Sequence, residues 1–289
     1  AEGKINLQLE AELPDGIRQS LESALAKTAV VEETKEAYQA AVKHLQQAYE
    51  DASEAISVYP EILEWAHICQ ENAANSEEGD VTTGFQQQVE QAVSSAAIVQ
   101  TADEMKKLLA ELKKNALVFH TTASVNPAEG KSWNLTFMLA NPTFDTNGSG
   151  WATAPTVRSG VGEFWNTNFS MFQTLRSLKN GQYEVRVQAL YRVGENDGGA
   201  AYKAGKENIP VKLYAGTASI PVTSLYSYPL SGNEGNFGSL DAKNGYANSM
   251  YAASVCFEKG MYQNSLSTIV ANNILRVGLS NTGSKYDSW

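Results

Sequence analysis

The chain has little cysteine, no long apolar run and, in its second half, no histidine. Among its 289 residues the two cysteines are Cys69 and Cys256, one in each half. This count excludes a disulfide framework, so two buried free thiols are expected, with a single bridge between the halves as the alternative. No apolar segment reaches the ~20 residues of a membrane-spanning helix. With 43% hydrophobic residues, the sequence predicts a globular protein without such a helix.

Basic residues are also scarce, and the shortage is confined to the first half. Residues 1–130 contain 9 basic and 22 acidic side chains, a net charge of −13. Residues 131–289 contain 13 and 10, a net charge of +3. No basic stripe is available to neutralise phosphates, which argues against a nucleic-acid partner. The acidity of the first half indicates a solubilising surface.

Residue patterns that would support catalysis are missing. The histidines are His44, His67 and His120, all in the first half, so the second half cannot supply a Ser-His-Asp set. Glu64 and His67 have the spacing used in di-iron bundles, but such sites need a second copy, which the sequence lacks. The carboxylates of the second half have no context typical of a glycosidase pair. We therefore predict that the protein is not an enzyme.

The first half has the apolar periodicity of helices, with steps of three and four residues. The predicted helices begin after Pro14, at Thr34, at Pro60, near Phe85 and at Thr101. Pro60 is expected to end the second helix and to open a short one that reaches Cys69. In "TADE", Thr101 can cap the last helix while Glu104 reaches back. The short connections predict an antiparallel helical bundle over residues 1–122.

From about residue 123 the period changes to two, which is typical of strands. "GQYEVRVQALYRV" alternates, with Tyr183 and Tyr191 on the inner face and Arg192 on the outer face. "SLSTIVANNILRVGL" predicts a hairpin that turns at Asn272-Asn273, and "NSMYAASVCFEKG" predicts a short helix ending at Gly260. Short strands separated by Gly, Asn and Ser predict an antiparallel sandwich over residues 132–289, after a linker at 123–131.

Four stretches of the second half resemble a known family: "NPTFDTNGSGW", "GEFWNTNFSMFQTLRSLKNGQYEVRVQALYR", "YANSMYAASVCFEKGMYQNSL" and "ILRVGLSNTG". They are similar to secreted and outer-surface proteins of Gram-negative gut bacteria with galactose-binding-like jelly-roll domains. The resemblance extends from about Trp133 to the C-terminus, and the first half resembles, in composition, the small bundles that often precede such domains.

This resemblance implies a two-domain α+β protein whose C-terminal domain is a galactose-binding-like jelly roll. The implied location is secreted, periplasmic or on the outer cell surface of a Gram-negative bacterium. Family members usually continue past "SKYDSW" into a final strand with an Asp-Asn-Phe run. The resemblance therefore implies a last strand beyond Trp289 that would pair beside "ILRVGL".

The stretch from Asn141 to Trp151 also resembles the opening of calcium-containing carbohydrate-binding modules. The resemblance implies that Phe144 anchors the end of the first strand and that Trp151 begins the next. Asp145 and backbone carbonyls of the loop between them could then hold a structural calcium ion, which prefers six to eight oxygen ligands. The alternative is a plain turn with hydrogen bonds from Asx side chains.

Aromatic residues are concentrated after residue 130, where four of the five Trp and ten of the thirteen Tyr lie. Sugar-binding sites combine an aromatic face with planar polar groups that bind hydroxyls. "EFWNTNFSMFQ" and "LYRVGENDGG" offer this mixture. The candidate ligand-binding residues are Trp165, Asn166, Asn168, Tyr191 and Arg192. The alternative for Trp165 and Tyr191 is a place in the hydrophobic core.

Together these patterns predict a non-catalytic extracellular protein that binds a glycan or cell-surface polysaccharide, or otherwise recognises a surface. The alternative is a structural or adhesive module that binds a protein partner, with the bundle as a spacer or docking face. Exposure of Trp165 or Tyr191 in a concave site would favour the first function.

Overall fold

The computed structural model describes residues 13–28, 34–122, 124–144, 147–192, 198–230, 242–283 and 287–288. The chain divides into two compact units, Ala1–Phe137 and Met138–Trp289. The first is helical, and the second contains mainly antiparallel strands, which confirms the predicted α+β class. In the described residues, no helix combines the length and the apolar character needed to cross a membrane.

The described residues of the first unit form four helices: α1 (Asp15–Thr28), α2 (Lys35–Ala74), α3 (Asp80–Ile98) and α4 (Ala102–Thr121). Two of these helices begin where the sequence predicts, and each start is capped by a threonine, of which only Thr101 was predicted as a cap. The Thr34 hydroxyl accepts a hydrogen bond from the Ala37 amide at 3.2 Å. The Thr101 hydroxyl accepts one from the Glu104 amide at 3.3 Å, and the Glu104 carboxylate accepts one from the Gln100 amide. These bonds satisfy amides that have no partner within the helix.

Helix α2 is continuous over 40 residues, so the predicted break at Pro60 is wrong. Proline lacks an N–H, so the helix loses its bond to the Ile56 carbonyl and is destabilised by about 3 kcal/mol. The apolar stripe of α2 is buried on both sides of this point, at Ala52 and Ala55 before it and at Ile62 after it. This burial holds both halves of the helix against the same core and outweighs the local defect.

Helices α2, α3 and α4 follow each other in an up-down-up order. Lys106 and Lys113 of α4 bind Glu54 and Glu61 of α2 at 2.5 and 2.6 Å. Both pairs advance by one heptad, so α2 and α4 run parallel and α3 runs between them in the opposite direction. Gly16 of α1 lies against the carbonyl groups at the end of α3, where any side chain would clash with backbone.

The segment after α4 is held on the bundle by the buried side chain of Asn72. Its Nδ2 donates to the Asn134 carbonyl at 2.8 Å, and its Oδ1 accepts from the Asn134 amide at 2.7 Å. The Asn72 side-chain amide thus makes the same pair of hydrogen bonds to the extended chain that a residue of a neighbouring β-strand would make. Asn72 Nδ2 also lies 2.9 Å from Nε2 of His120, whose Nδ1 is 2.6 Å from the Ala116 carbonyl. His120 therefore donates from Nδ1 and accepts at Nε2.

Aromatic rings complete this attachment. The ring of His120 lies edge-on to Trp133 with centroids 4.9 Å apart, and Phe137 packs against both His120 and Trp65. Trp133 and Phe137 thus join the core of the first unit. Residues 132–137, which the sequence analysis placed in the second domain, therefore pack with the first unit, and the boundary falls after Phe137.

Where the structure describes it, the second unit contains short strands and two helices. The strands are β1 (Thr156–Arg158), β2 (Val161–Glu163), β3 (Phe169–Arg176), β4 (Gly181–Gln188), β5 (Leu190–Arg192), β6 (Val211–Ala215), β7 (Ala218–Pro221), β8 (Thr223–Ser224), β9 (Ala242–Lys243), β10 (Tyr246–Ala247), β11 (Gln263–Val270), β12 (Ile274–Asn281) and β13 (Asp287–Ser288). The helices are α5 (Ala200–Lys203) and α6 (Met250–Glu258). Helix α6 confirms the short helix predicted in "NSMYAASVCFEKG", and the Ser249 hydroxyl caps it.

The strands form a four-stranded sheet in the order β3-β12-β6-β7, a pair β4-β11, a triplet β13-β5-β8 and two smaller pairs. The predicted hairpin at Asn272-Asn273 is wrong, because β11 pairs with β4 whereas β12 pairs with β3 and β6. The turn is instead an arch, which carries the chain from one sheet to another. Strand β12 has partners on both sides, so the expectation that "ILRVGL" borders an absent last strand is also wrong.

A second arch, at residues 177–180, connects β3 with β4 in the same way. Asn273 ties the two arches together: its Nδ2 donates to the Leu178 carbonyl at 2.6 Å, and its amide donates to Asn180 Oδ1 at 3.0 Å. Asn273 has a φ of 61°, a left-handed conformation that asparagine tolerates better than most residues. The paired arches place the apolar sides of the two sheets in one sandwich-like layout, with Leu266 and Val277 buried.

We predict that acid selectively destabilises the first unit through His120. Burial lowers the pKa of this imidazole to about 4 from an ordinary value of 6.5. Below pH 6.5 the His120 imidazole therefore binds a proton in the unfolded chain but stays neutral in the folded unit. The stabilising contribution is complete above pH 6.5 and is lost as the pH falls towards 4, up to ~3 kcal/mol. Denaturant unfolding followed by helical circular dichroism at several pH values measures this loss.

The control is His120→Gln, which is less stable at pH 7 but cannot titrate in this range. The difference in unfolding free energy between wild type and variant should shrink from pH 7 to pH 4.5. A constant difference would contradict the prediction.

We further predict that Gly278→Ala destabilises the second unit. Gly278 lies in the centre of β12 opposite Phe172, and a side chain there would clash with the Met171 carbonyl oxygen. The expected loss is about 1–3 kcal/mol, because the two strands must move apart. Gly181→Ala at the start of β4 is the matched control, since open space surrounds that position. Equal melting temperatures for the two variants would disprove the close-packing argument.

Candidate ligand-binding site

A short loop between β2 and β3 displays the most exposed tryptophan of the described residues. All four residues from Trp165 to Asn168 are exposed. The residues on either side, Phe164 and Phe169, are buried, and their rings stack with centroids 3.8 Å apart and planes 4° from parallel. Asn166 has a φ of 46°, which turns the chain back. The stacked pair therefore fixes both ends of a polar loop that projects into solvent.

The indole of Trp165 lies over the guanidinium group of Arg192. The side chain is 63% exposed, and the Arg192 Cζ lies 5.8 Å from its ring centroid. Arg192 is only 5% exposed, and its Nη1 donates to Asn248 Oδ1 at 2.9 Å, just before helix α6. The buried cation supports one face of the ring by a cation–π contact, which orients the indole on its loop.

The prediction that Arg192 points away from the core is wrong. Strand β4 ends at Gln188. The Ala189 amide still donates to the Tyr262 carbonyl in the register of the ladder, but the Ala189 carbonyl accepts from the Asn264 side chain. The next three residues form β5, pair with β8 and β13, and are all buried. This irregularity ends the alternation of period two. Tyr191 is fully buried, so its alternative assignment as a core residue agrees with the structure.

A buried asparagine holds this irregularity in place. Asn264 of β11 donates from Nδ2 to the carbonyls of Ala189 and Tyr262, both at 2.9 Å. Its Oδ1 accepts from the amide and the hydroxyl of Thr223, at 2.8 and 2.9 Å. The amide thus satisfies backbone groups of three segments where the ladders stop. Sequence reasoning missed Asn264 and Asn248. For Asn264 the available signal was a polar residue on the strand face that also carries Leu266.

Of the five predicted ligand-binding residues, the structure brings four together. Trp165, Asn166 and Asn168 share the exposed loop, and Arg192 lies beneath the indole. Tyr191 is in the interior, where a ligand in solution cannot reach it. The loop can therefore offer one aromatic face and two amides to a ligand, whereas the guanidinium group acts as a support.

The loop from Asn141 to Trp151 is closed by the Asn141 side chain. Its Nδ2 donates to the carbonyls of Asn147 and Ser149, and the backbone carbonyl of Asn141 accepts from Trp151 Nε1 at 3.0 Å. The rings of Phe144 and Trp151 stack with centroids 5.6 Å apart. The loop thus has the Asx-type bonds of the alternative interpretation.

Neither aromatic residue of this loop lies on a strand, so that implication of the resemblance is wrong. Within residues 138–144 and 147–155 the structure has no strand, and Phe144 has a left-handed φ of 55°. Asp145, the predicted calcium ligand, lies outside the described residues, so calcium at this loop stays a prediction.

The described part of the chain has two other features that bear on chemistry, its potential metal ligands and its free thiols. Its His, Cys, Asp and Glu side chains form no group of three that could hold a metal ion. Cys69 and Cys256 are buried free thiols, as expected. Burial raises the pKa of Cys69 to about 12 and that of Cys256 to about 11, so neither is a reactive thiolate near neutral pH.

Comparisons with protein-family models, curated proteins and solved structures found no match to this chain. The loop geometry and the residues that support it are therefore the basis for a functional interpretation.

We predict that Asn264→Ala strongly destabilises the second unit, by about 3 kcal/mol. The variant leaves the Ala189 carbonyl and the Thr223 amide buried without their side-chain partner. Asn168→Ala, on the exposed loop, is the matched control and should change stability by less than about 0.5 kcal/mol. Urea unfolding of both variants followed by circular dichroism checks this. Similar stabilities would show that Asn264 does not hold the break at Ala189.

Proposed function

We propose that the second unit is a non-catalytic carbohydrate-binding domain of the galactose-binding-like jelly-roll type. The observation that carries this proposal is the 63% exposed indole of Trp165, on a loop fixed by the stacked rings of Phe164 and Phe169. A large apolar side chain held open in solvent by a rigid frame is typical of a binding surface. The resemblance to gut-bacterial surface proteins, which extends from about Trp133 to the C-terminus, supports the jelly-roll type and an extracellular location.

The ligand binds by placing the apolar C–H face of a pyranose ring on the indole. The opposite face of the indole is already occupied by Arg192, so one face remains for the sugar. Asn166 and Asn168 follow Trp165 on the same exposed loop and can each donate and accept hydrogen bonds with sugar hydroxyls. Binding is weak, because each hydroxyl exchanges hydrogen bonds with water for similar bonds with protein.

The state of Arg192 favours a neutral glycan over an acidic one. If the guanidinium group were exposed, it could pair with the carboxylate of an acidic sugar. It is instead buried and bound to Asn248. Exposing it to a ligand would break that bond and remove the support of the indole. We therefore assign Arg192 a positioning role rather than direct contact with sugar.

A glycan array probed with the full chain, followed by calorimetry on each hit, tests the proposal. We expect weak binding to neutral glycans. Trp165→Ala should lower the affinity by about tenfold or more, since it removes the stacking surface. Trp165→Phe should retain part of the affinity because it keeps a ring. Ile269→Ala is the control: Ile269 is 78% exposed on β11 and lies outside the loop.

Two results would contradict the proposal. One is the absence of binding to any glycan on the array. The other is unchanged binding by Trp165→Ala while circular dichroism shows an intact fold. Either result would favour the alternative function, in which the exposed indole anchors a protein partner of an adhesive module.

A further inference from the structure

Helix α2 carries a second apolar stripe on the side that faces solvent. Its buried residues repeat every seven positions and pack into the first unit, as Leu45, Ala52 and Ala66 illustrate. A parallel series also repeats every seven positions: Val42, Tyr49, Ile56 and Leu63. Val42, Ile56 and Leu63 are 64%, 38% and 40% exposed, and Tyr49 is half-buried. A seven-residue repeat of apolar side chains is the pattern by which helices pair along their length.

The positions beside this stripe carry no charge. They are Gln39, Gln46, Ser53 and Pro60, again seven residues apart. We call these eight residues the outer face of α2. From Val42 to Leu63 the outer face is about 32 Å long at 1.5 Å per residue. An uncharged face of this length on a half-chain with a net charge of −13 marks an interaction surface.

We infer that the outer face of α2 pairs with the same face of a second copy, antiparallel about a twofold axis that crosses the helix between Ala52 and Ser53. Heptad geometry makes the face complementary to itself in this orientation. Val42 then lies opposite the partner's Leu63, and Tyr49 lies opposite the partner's Ile56. Ser53, with its small side chain, lets the helices approach closely at the axis. A twofold contact closes on itself, so the assembly ends at a dimer.

The charges that flank the outer face select this orientation. Lys43 borders the face near one end and Glu64 borders it near the other. Antiparallel pairing brings Lys43 next to the partner's Glu64 twice, once on each side of the axis. In a parallel pair Lys43 and the partner's Glu64 would be about 32 Å apart along the helix axis, so this attraction would be absent. The two Lys43–Glu64 pairs therefore favour the antiparallel arrangement.

Cysteine crosslinking of the full chain tests the twofold axis directly. Cys69 and Cys256 are fully buried and do not interfere. In Ser53→Cys the two new thiols meet at the axis, so mild oxidation should yield a covalent dimer on a non-reducing gel. Gln46→Cys, on the same face, places its two thiols about 20 Å apart along the helix axis and should stay uncrosslinked. Equal crosslinking of both variants, or none with Ser53→Cys, overturns the inference.

Sedimentation equilibrium provides a second readout. Wild type should dimerise reversibly, and Ile56→Asp should weaken the dimer by about tenfold or more, because it buries an unpaired charge. Val118→Asp, at an exposed position of α4, is the control and should leave the dimer unchanged. The inference is overturned if the wild type is monomeric at every concentration, or if Ile56→Asp does not weaken the dimer. The outer face would then be a surface for another partner.

A charge swap distinguishes the antiparallel dimer from any other. Lys43→Glu and Glu64→Lys should each weaken it, and the double variant should restore it by exchanging the two charges. Failure of the double variant to recover would show that these residues do not face each other.

Discussion

A buried backbone group that leaves a helix or a sheet must find another hydrogen-bond partner, and in both units an asparagine side chain supplies it. Asn72 pairs with both backbone groups of Asn134, which attaches an extended segment to a helix. Asn264 satisfies the backbone groups around Ala189, where two strands end. An amide suits both places because it donates and accepts in the spacing of a peptide group. Each side-chain amide therefore forms hydrogen bonds that a neighbouring strand would form in a regular sheet.

The candidate site depends on the hydrogen bonds that Asn264 makes to the backbone. Because Asn264 stabilises the break at Ala189, the chain turns before β5 and the three following residues enter the interior. Arg192 then reaches Asn248 and the underside of Trp165, rather than solvent. A regular strand would have pointed the same guanidinium group outwards. The orientation of an exposed tryptophan thus rests on a buried asparagine in a different strand.

The parts of this architecture that follow from local rules could be predicted from the sequence. Caps at Thr34 and Thr101, the apolar stripes of the helices and the helix after Ser249 involve residues only a few positions apart. Arches and breaks could not be predicted, because "SLSTIVANNILRVGL" has the same pattern whether its strands pair with each other or with different partners. Pro60 was misjudged for a related reason: burial of distant side chains outweighed a local defect. For the candidate site, the exposed loop could be predicted and the burial of Tyr191 was one of two open alternatives, but the burial of Arg192 could not be predicted.

The paired arches also determine when the second unit can fold. Strand β3 pairs with β12 and β4 pairs with β11, so each ladder joins segments far apart in the chain. Such contacts form slowly, because a long loop must close before any of them is gained. During synthesis β3 and β4 leave the ribosome well before their partners exist. The contacts of the helical unit are more local, and this unit precedes the sheets in the chain. It can therefore fold before the last strands of the sheets have been synthesised.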